Sequence, residues 1–138
     1  MKKSIVTQFT VALSNKPGVL AEFTKYFSEK QVNLIGISIE TLGDIGFIRF
    51  IVQENVVEVQ NYLLSKGYKV MLTDVFQLEI VNKPGYLFEL ANLLGTKNIN
   101  IMGLYGSVFG FDKAMLYLTV DQFELAKPLL EKELVLSH

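Results

Sequence analysis

Asn15-Lys16-Pro17-Gly18-Val19-Leu20 and Asn82-Lys83-Pro84-Gly85-Tyr86-Leu87 are two copies of one motif, 67 residues apart (15 to 82). Asn33 and Asn100 recur at the same interval, as do Phe23 and Leu90, Phe27 and Leu94, Gly36 and Gly103, Gly43 and Gly110, and Leu63 and Leu130. Self-similarity at a fixed period over so many positions marks a duplicated unit. The register predicts two modules, residues 1–73 and 74–138, aligned without gaps.

Around the motif each copy follows one grammar. A Val-, Ile- and Phe-rich strand, Ile5 to Leu13 or Val75 to Val81, runs into the Asn-Lys-Pro-Gly turn. A helix follows, with Pro at its first position, where a missing N–H costs nothing. Its apolar face reads Val19, Leu20, Phe23 and Phe27, or Leu87, Leu90, Ala91 and Leu94. Val32 to Ile39 and Phe47 to Val52, joined through Leu42-Gly43-Asp44-Ile45-Gly46, or Ile99 to Val108 and Ala114 to Val120, form a hairpin. Val56, Val59 and Leu63, or Phe123, Ala126, Leu129 and Leu130, supply a second helix. Tyr68 to Leu72 closes the first copy as a strand, but Tyr68 corresponds to Val135 and only three residues follow it. The last strand of the second copy is therefore expected to be short or missing. This order predicts an α+β protein of two tandem ferredoxin-like βαββαβ units, antiparallel sheets with helices on one face. An edge left unpaired in this way invites another chain, so a homodimer is expected.

Composition narrows the chemistry. Half of the 138 residues are apolar, with ten Phe and six Tyr, which suits a packed core. A net charge of −1 with dispersed lysines gives no field to draw in nucleic acid. The absence of Cys fits a reducing compartment, and Gln8 and Thr10 interrupt the apolar start that a signal peptide needs, so a cytoplasmic protein without a membrane segment is expected. With His138 the only histidine, Ser-His-Asp, Cys-His and His-bearing metal sites are unavailable, and neither a metal nor a cofactor is expected. Glu54 with Glu58 and Glu131 with Glu133 read as solvated helix faces rather than acid–base pairs. Gly103, Gly106 and Gly110 lack the spacing of a phosphate loop.

The repeated motif is the better lead. It joins a strand to a helix whose first amides, near Gly18 or Gly85, have no intrahelical partner and attract a carboxylate. Glycine lets a ligand approach the backbone. Asn15 or Asn82 adds a donor and an acceptor, the combination an amino-acid zwitterion requires. The competing reading is a well-made turn and nothing more.

In this setting, the strand ending in Asn-Lys-Pro-Gly, the helix and then Val32-Asn33-Leu34 opening a strand resemble the ACT domain, over essentially the whole chain as a tandem pair. The resemblance implies a non-catalytic regulatory protein that binds a small ligand, most often an amino acid, at interfaces between units. It implies ligand contacts at Asn15, Pro17, Gly18, Val19 and Leu20 or at Asn82, Pro84, Gly85, Tyr86 and Leu87. The opposing contacts come from Asn33, Leu34 and Ile35 or from Asn100, Ile101 and Met102 of a neighbouring unit. With no room for an enzyme in the chain, the resemblance implies action in trans on a metabolic enzyme, or a role as a sensor or carrier. Tyr86 and Met102 point to the second copy as the site for a larger side chain. Two other readings stand beside this one: an interaction module without ligand, and an RNA-binding ferredoxin-like protein suggested by Gly46-Phe47-Ile48-Arg49-Phe50.

Overall fold

The computed structural model describes residues 2–136. The chain runs β1 (Lys2–Ser14), α1 (Val19–Glu29), β2 (Leu34–Leu42), β3 (Ile45–Val52), α2 (Val56–Ser65), β4 (Val70–Val81), α3 (Tyr86–Gly95), β5 (Ile101–Phe109), β6 (Lys113–Val120) and α4 (Phe123–Leu136). Two compact units emerge. One is Thr7–Asp74; the other is the chain from Val75 on, together with the residues before Thr7. Strands β1 and β4 are thus each divided between the units. The strand order is β2-β3-β1-β4 in the first and β1-β4-β6-β5 in the second, the ferredoxin-like arrangement in both.

This division answers the question of the missing strand. Helix α4 continues to Leu136, so among the described residues no strand follows it. The fourth place in the second unit is held instead by the opening residues of β1, up to Val6. The sequence reading looked for that strand after the helix because the repeat places it there. The fold takes it from the other end of the chain.

Each unit buries one face of its sheet under two helices. In the first, Phe9 and Phe50 stack at 5.0 Å, and Phe23 and Phe27 meet the Phe50 ring at 5.8 and 5.4 Å. Val11, Ile48, Val59 and Leu63 complete that core. The second core is mostly aliphatic, built from Leu78, Ile80, Leu90, Leu94, Leu118, Ala126 and Leu130. Burying each such side chain contributes roughly 1.5–3 kcal/mol. Leu20 and Leu87, placed by spacing on the buried helix faces, are exposed, as is Ala91. The helices turn Phe23, Tyr26 and Phe27, or Tyr86, Leu90 and Leu94, inward instead.

The repeat is not gapless. Val11 faces Ile48 in the first unit, whereas its counterpart Leu78 faces Leu116, a displacement of 68 residues (48 to 116). The extra residue lies in the hairpin: Gly43-Asp44 joins β2 to β3, but Gly110-Phe111-Asp112 joins β5 to β6. Phe111 is the insertion and stands fully exposed. The period returns to 67 at the second helix because three residues precede Val56 and only two precede Phe123. The outer strands differ too: Gly36, at φ +56°, is the bulged residue of β2, while Met102 is skipped in the β5 ladder.

Candidate ligand site

The motif loop forms the same way in both units. Asn15 N–H donates to the Asp44 carbonyl at 2.8 Å, and Asn82 N–H donates to Asp112, tying each loop to the tip of its hairpin. Glu22 N–H donates to Gly18 and Glu89 N–H to Gly85, closing the first turn of α1 and of α3. Gly18 and Gly85 are the N-cap residues, at φ +86° and +88°. Pro17 and Pro84 therefore lie before the helix rather than at its first position. A Cβ on Gly18 or Gly85 would meet nothing within 4 Å, so glycine is required for the left-handed backbone and not for close approach. Of the amides expected to be free, those of Val19 and Tyr86 donate to Lys16 and Lys83. Gly18, Leu20, Gly85 and Leu87 donate to no backbone carbonyl among the described residues.

In the first unit this loop borders a hollow of about 210 Å³ lined by Leu13, Ser14, Asn15, Lys16, Val19, Leu20, Ile39, Thr41, Gly46, Phe47 and Ile48. The loop and Thr41 supply polar groups, with Lys16 the one cation; the strands and helix supply an apolar wall. Asn15 is partly committed, because its Nδ2 donates to the Gly43 carbonyl at 3.0 Å. Its Oδ1 is left as an acceptor. The reading from sequence missed Lys16, although it lies within the motif, and it missed Ile39 and Thr41. These two are legible only once the hairpin is folded back, since its tip is what the loop binds.

The other nominated residues do not join this place within either unit. Antiparallel pairing sets the start of β2 against the end of β3, Leu34 opposite Val52, so Asn33, Leu34 and Ile35 lie at the end of the sheet remote from Asn15. Ile101 lies opposite Val120, which puts Asn100, Ile101 and Met102 at the corresponding remote end of the second unit. There Asn100 N–H donates to Asp121 Oδ1 at 2.9 Å and its Nδ2 lies 3.3 Å from Met102 Sδ, with the Met102 side chain 63% exposed. Tyr86 is only 6% exposed and is part of the second core. Tyr86 and Met102, singled out together from sequence, thus sit at opposite ends of one sheet.

The geometry bears on the other chemistries as well. Phe50 is buried beneath the helices and Ile48 with it, while Arg49 pairs with Glu40 at 3.3 Å. The strand that echoed an RNA-binding sheet thus keeps Phe50 inside, where no base can stack on it. Among the described residues no His, Cys, Asp and Glu group could hold a metal ion, and no helix is long and apolar enough to cross a membrane.

Comparison with known proteins agrees with the fold. A family model described as an ACT domain pair matches residues 4–136. A crystal structure from Bacteroides thetaiotaomicron superposes with a TM-score of 0.86 at 23% identity, covering 95% of this chain and 90% of that one. The ligand-free regulatory subunit of aspartate kinase from Thermus thermophilus gives 0.64 at 14% identity, covering 96% of both chains. The corresponding subunit from Thermus flavus gives 0.60 at 15%, covering 95% and 94%. No curated protein matches.

Proposed function

Because the chain belongs to the ACT domain family, as an ACT domain pair, we propose that it binds a free amino acid with an apolar side chain in the hollow of the first unit and regulates a metabolic enzyme in trans. The ACT domain pair is a family of regulatory domains, and membership supports the coarse role, a regulatory ligand-binding one. The observation that carries the finer reading is the hollow itself. It sets a cation, Lys16, and Leu20, whose amide donates to no backbone carbonyl among the described residues, beside an apolar wall of Leu13, Val19, Ile39 and Ile48. A carboxylate suits the first group and an aliphatic or aromatic side chain the second, while Asn15 Oδ1 can accept from the ammonium. Fold likeness to regulatory subunits of aspartate kinase over nearly their whole length supports action as a separate chain. The setting in this reading is the cytoplasm.

Asn33, Leu34 and Ile35, and Asn100, Ile101 and Met102, reach a bound ligand in this reading only from a neighbouring unit. A homodimer would supply one. Strands β2 and β5 lie at the ends of their strand orders, and exposed Ile37, Ile39 and Leu42 on β2 favour such pairing.

Calorimetry against each proteinogenic amino acid tests the proposal. Binding by an apolar amino acid, weakened in Lys16→Ala, is expected; no binding by any of them would overturn it. Light scattering tests the dimer, and a monomer at high concentration would remove it. A firm dimer that no amino acid stabilises thermally would favour the interaction module instead.

A further inference from the structure

The two motif loops share a frame but not an interior. In the register fixed by strand pairing, Val19 corresponds to Tyr86, Leu13 to Ile80, Ile39 to Gly106, Gly46 to Ala114 and Ile48 to Leu116. Two of these exchanges are large and run in opposite directions. The helix position grows from Val to Tyr, and the outer-strand position shrinks from Ile to Gly. Gly106 could not carry even a Cβ, which would lie 2.1 Å from the Met115 carbonyl oxygen and 2.7 Å from Leu116 Cδ2. So the second unit lacks a side chain on β5 at the register position of Ile39, where Leu116 and the Met115 carbonyl close the space, and it adds a ring on α3.

The ring is fully taken up. Tyr86 belongs to the core that contains Ile80, Leu90, Ala114 and Leu118, with Leu116 packed against it. Val19, by contrast, is half-buried at the rim of an open hollow. Stability alone does not account for a tyrosine here, because its hydroxyl is buried without a hydrogen-bond partner. Phenylalanine would fill the same space without leaving a polar group unsatisfied.

We propose that Tyr86 is a built-in occupant of the second unit's counterpart to the hollow, so that each chain offers one motif-loop site for an apolar amino acid, in the first unit, and keeps the other closed by its own side chain. The repeat then consists of one receptive unit and one permanently filled unit. The proposal rests on the amino-acid reading for the nature of the ligand but not for the occlusion itself.

The test has two arms. In the first, calorimetry with L-leucine, L-valine and L-phenylalanine as probes should find one site per chain in the unsubstituted protein, two in Tyr86→Val, and none in the double variant Val19→Tyr, Ile39→Gly, which transplants the ring. Two sites in the unsubstituted protein, or binding that survives the transplant, would overturn the occlusion while leaving amino-acid binding intact. In the second arm no ligand is used. Ultraviolet titration of the folded double variant should show the new tyrosine ionising late, together with Tyr86, as a buried ring must. A new tyrosine that ionises in the ordinary range would overturn the equivalence of the two places even if no amino acid bound at all.

Discussion

The first unit keeps Val19 at the rim of a hollow where the second buries Tyr86 in its core, yet the motif loops of the two are built alike. Both loops hold their glycine at nearly the same φ, both tie their asparagine N–H to an aspartate carbonyl at the hairpin tip, and both end the first helix on a left-handed residue, Gln31 or Asn98. What differs is whatever fills the frame. The comparison teaches that the motif specifies a backbone path, and that occupancy is decided by side chains outside it, on the helix and on the outer strand.

The largest effect expected is in the cores. Phe50→Ala removes the ring that three other phenylalanines touch and should cost about 3–5 kcal/mol in urea unfolding, while Leu118→Ala should cost about 2–5 kcal/mol. Hydrogen exchange should show the first substitution loosening Thr7–Asp74 and the second loosening the chain beyond Val75. Spread of either effect evenly through both would erase the distinction between the units.

Next come the shared glycines. Gly18→Ala and Gly85→Ala each force a side chain into the left-handed region and should cost about 1–2 kcal/mol. The two costs should agree, since nothing crowds either position; a large disparity in thermal melts would show that the frames are not equivalent.

Tyr86→Phe should have a smaller effect of opposite sign, neutral or stabilising by up to about 1 kcal/mol near neutral pH. It should also flatten the alkaline edge of stability. Burial, and then the nearby Glu89 carboxylate, pushes the Tyr86 phenol up to about 12 from the ordinary 10.0. The folded chain keeps a proton that the unfolded chain releases, so the stability of the native state is whole below about pH 10 and declines as pH climbs toward 12. Denaturant melts of both proteins across that window check the sign. Smallest of all, deleting Phe111 restores a two-residue hairpin loop and should change stability by no more than about 0.5 kcal/mol, because its side chain touches solvent.

The fold was legible because its evidence is repeated. Asn-Lys-Pro-Gly, the Phe and Leu helix positions and the hairpin glycines recur together, and each local signal agrees with the others. Asn15, Val19 and Leu20, which line the hollow, were nominated from sequence because they lie in the motif itself. Ile39 and Thr41 were not, since their place beside the loop depends on how far β2 runs before it turns. Tyr86 was nominated from sequence as a pocket residue, and the fold buries it in the second core. A tyrosine at the first helical position can line a pocket or fill one, and a fixed 67-residue alignment, which sets Ile39 against Gly106, does not interpret the difference. The insertion of Phe111 escaped notice because a compensating residue is lost before α4, leaving the two ends of the alignment in step.

The opening residues of β1 have a consequence in time as well as space. They leave the ribosome before the rest of both units, yet the strand segment beside which they belong, from Val75 on, is made only after the whole of Thr7–Asp74. The first unit can close as soon as it is synthesised, whereas the second must wait for its own last helix while its fourth strand has been exposed all along. A long-range closure of this kind is slow, and it hands the nascent chain an unpaired strand to protect. A circular permutant that moved those residues behind α4 would make the second unit contiguous, and should fold it faster.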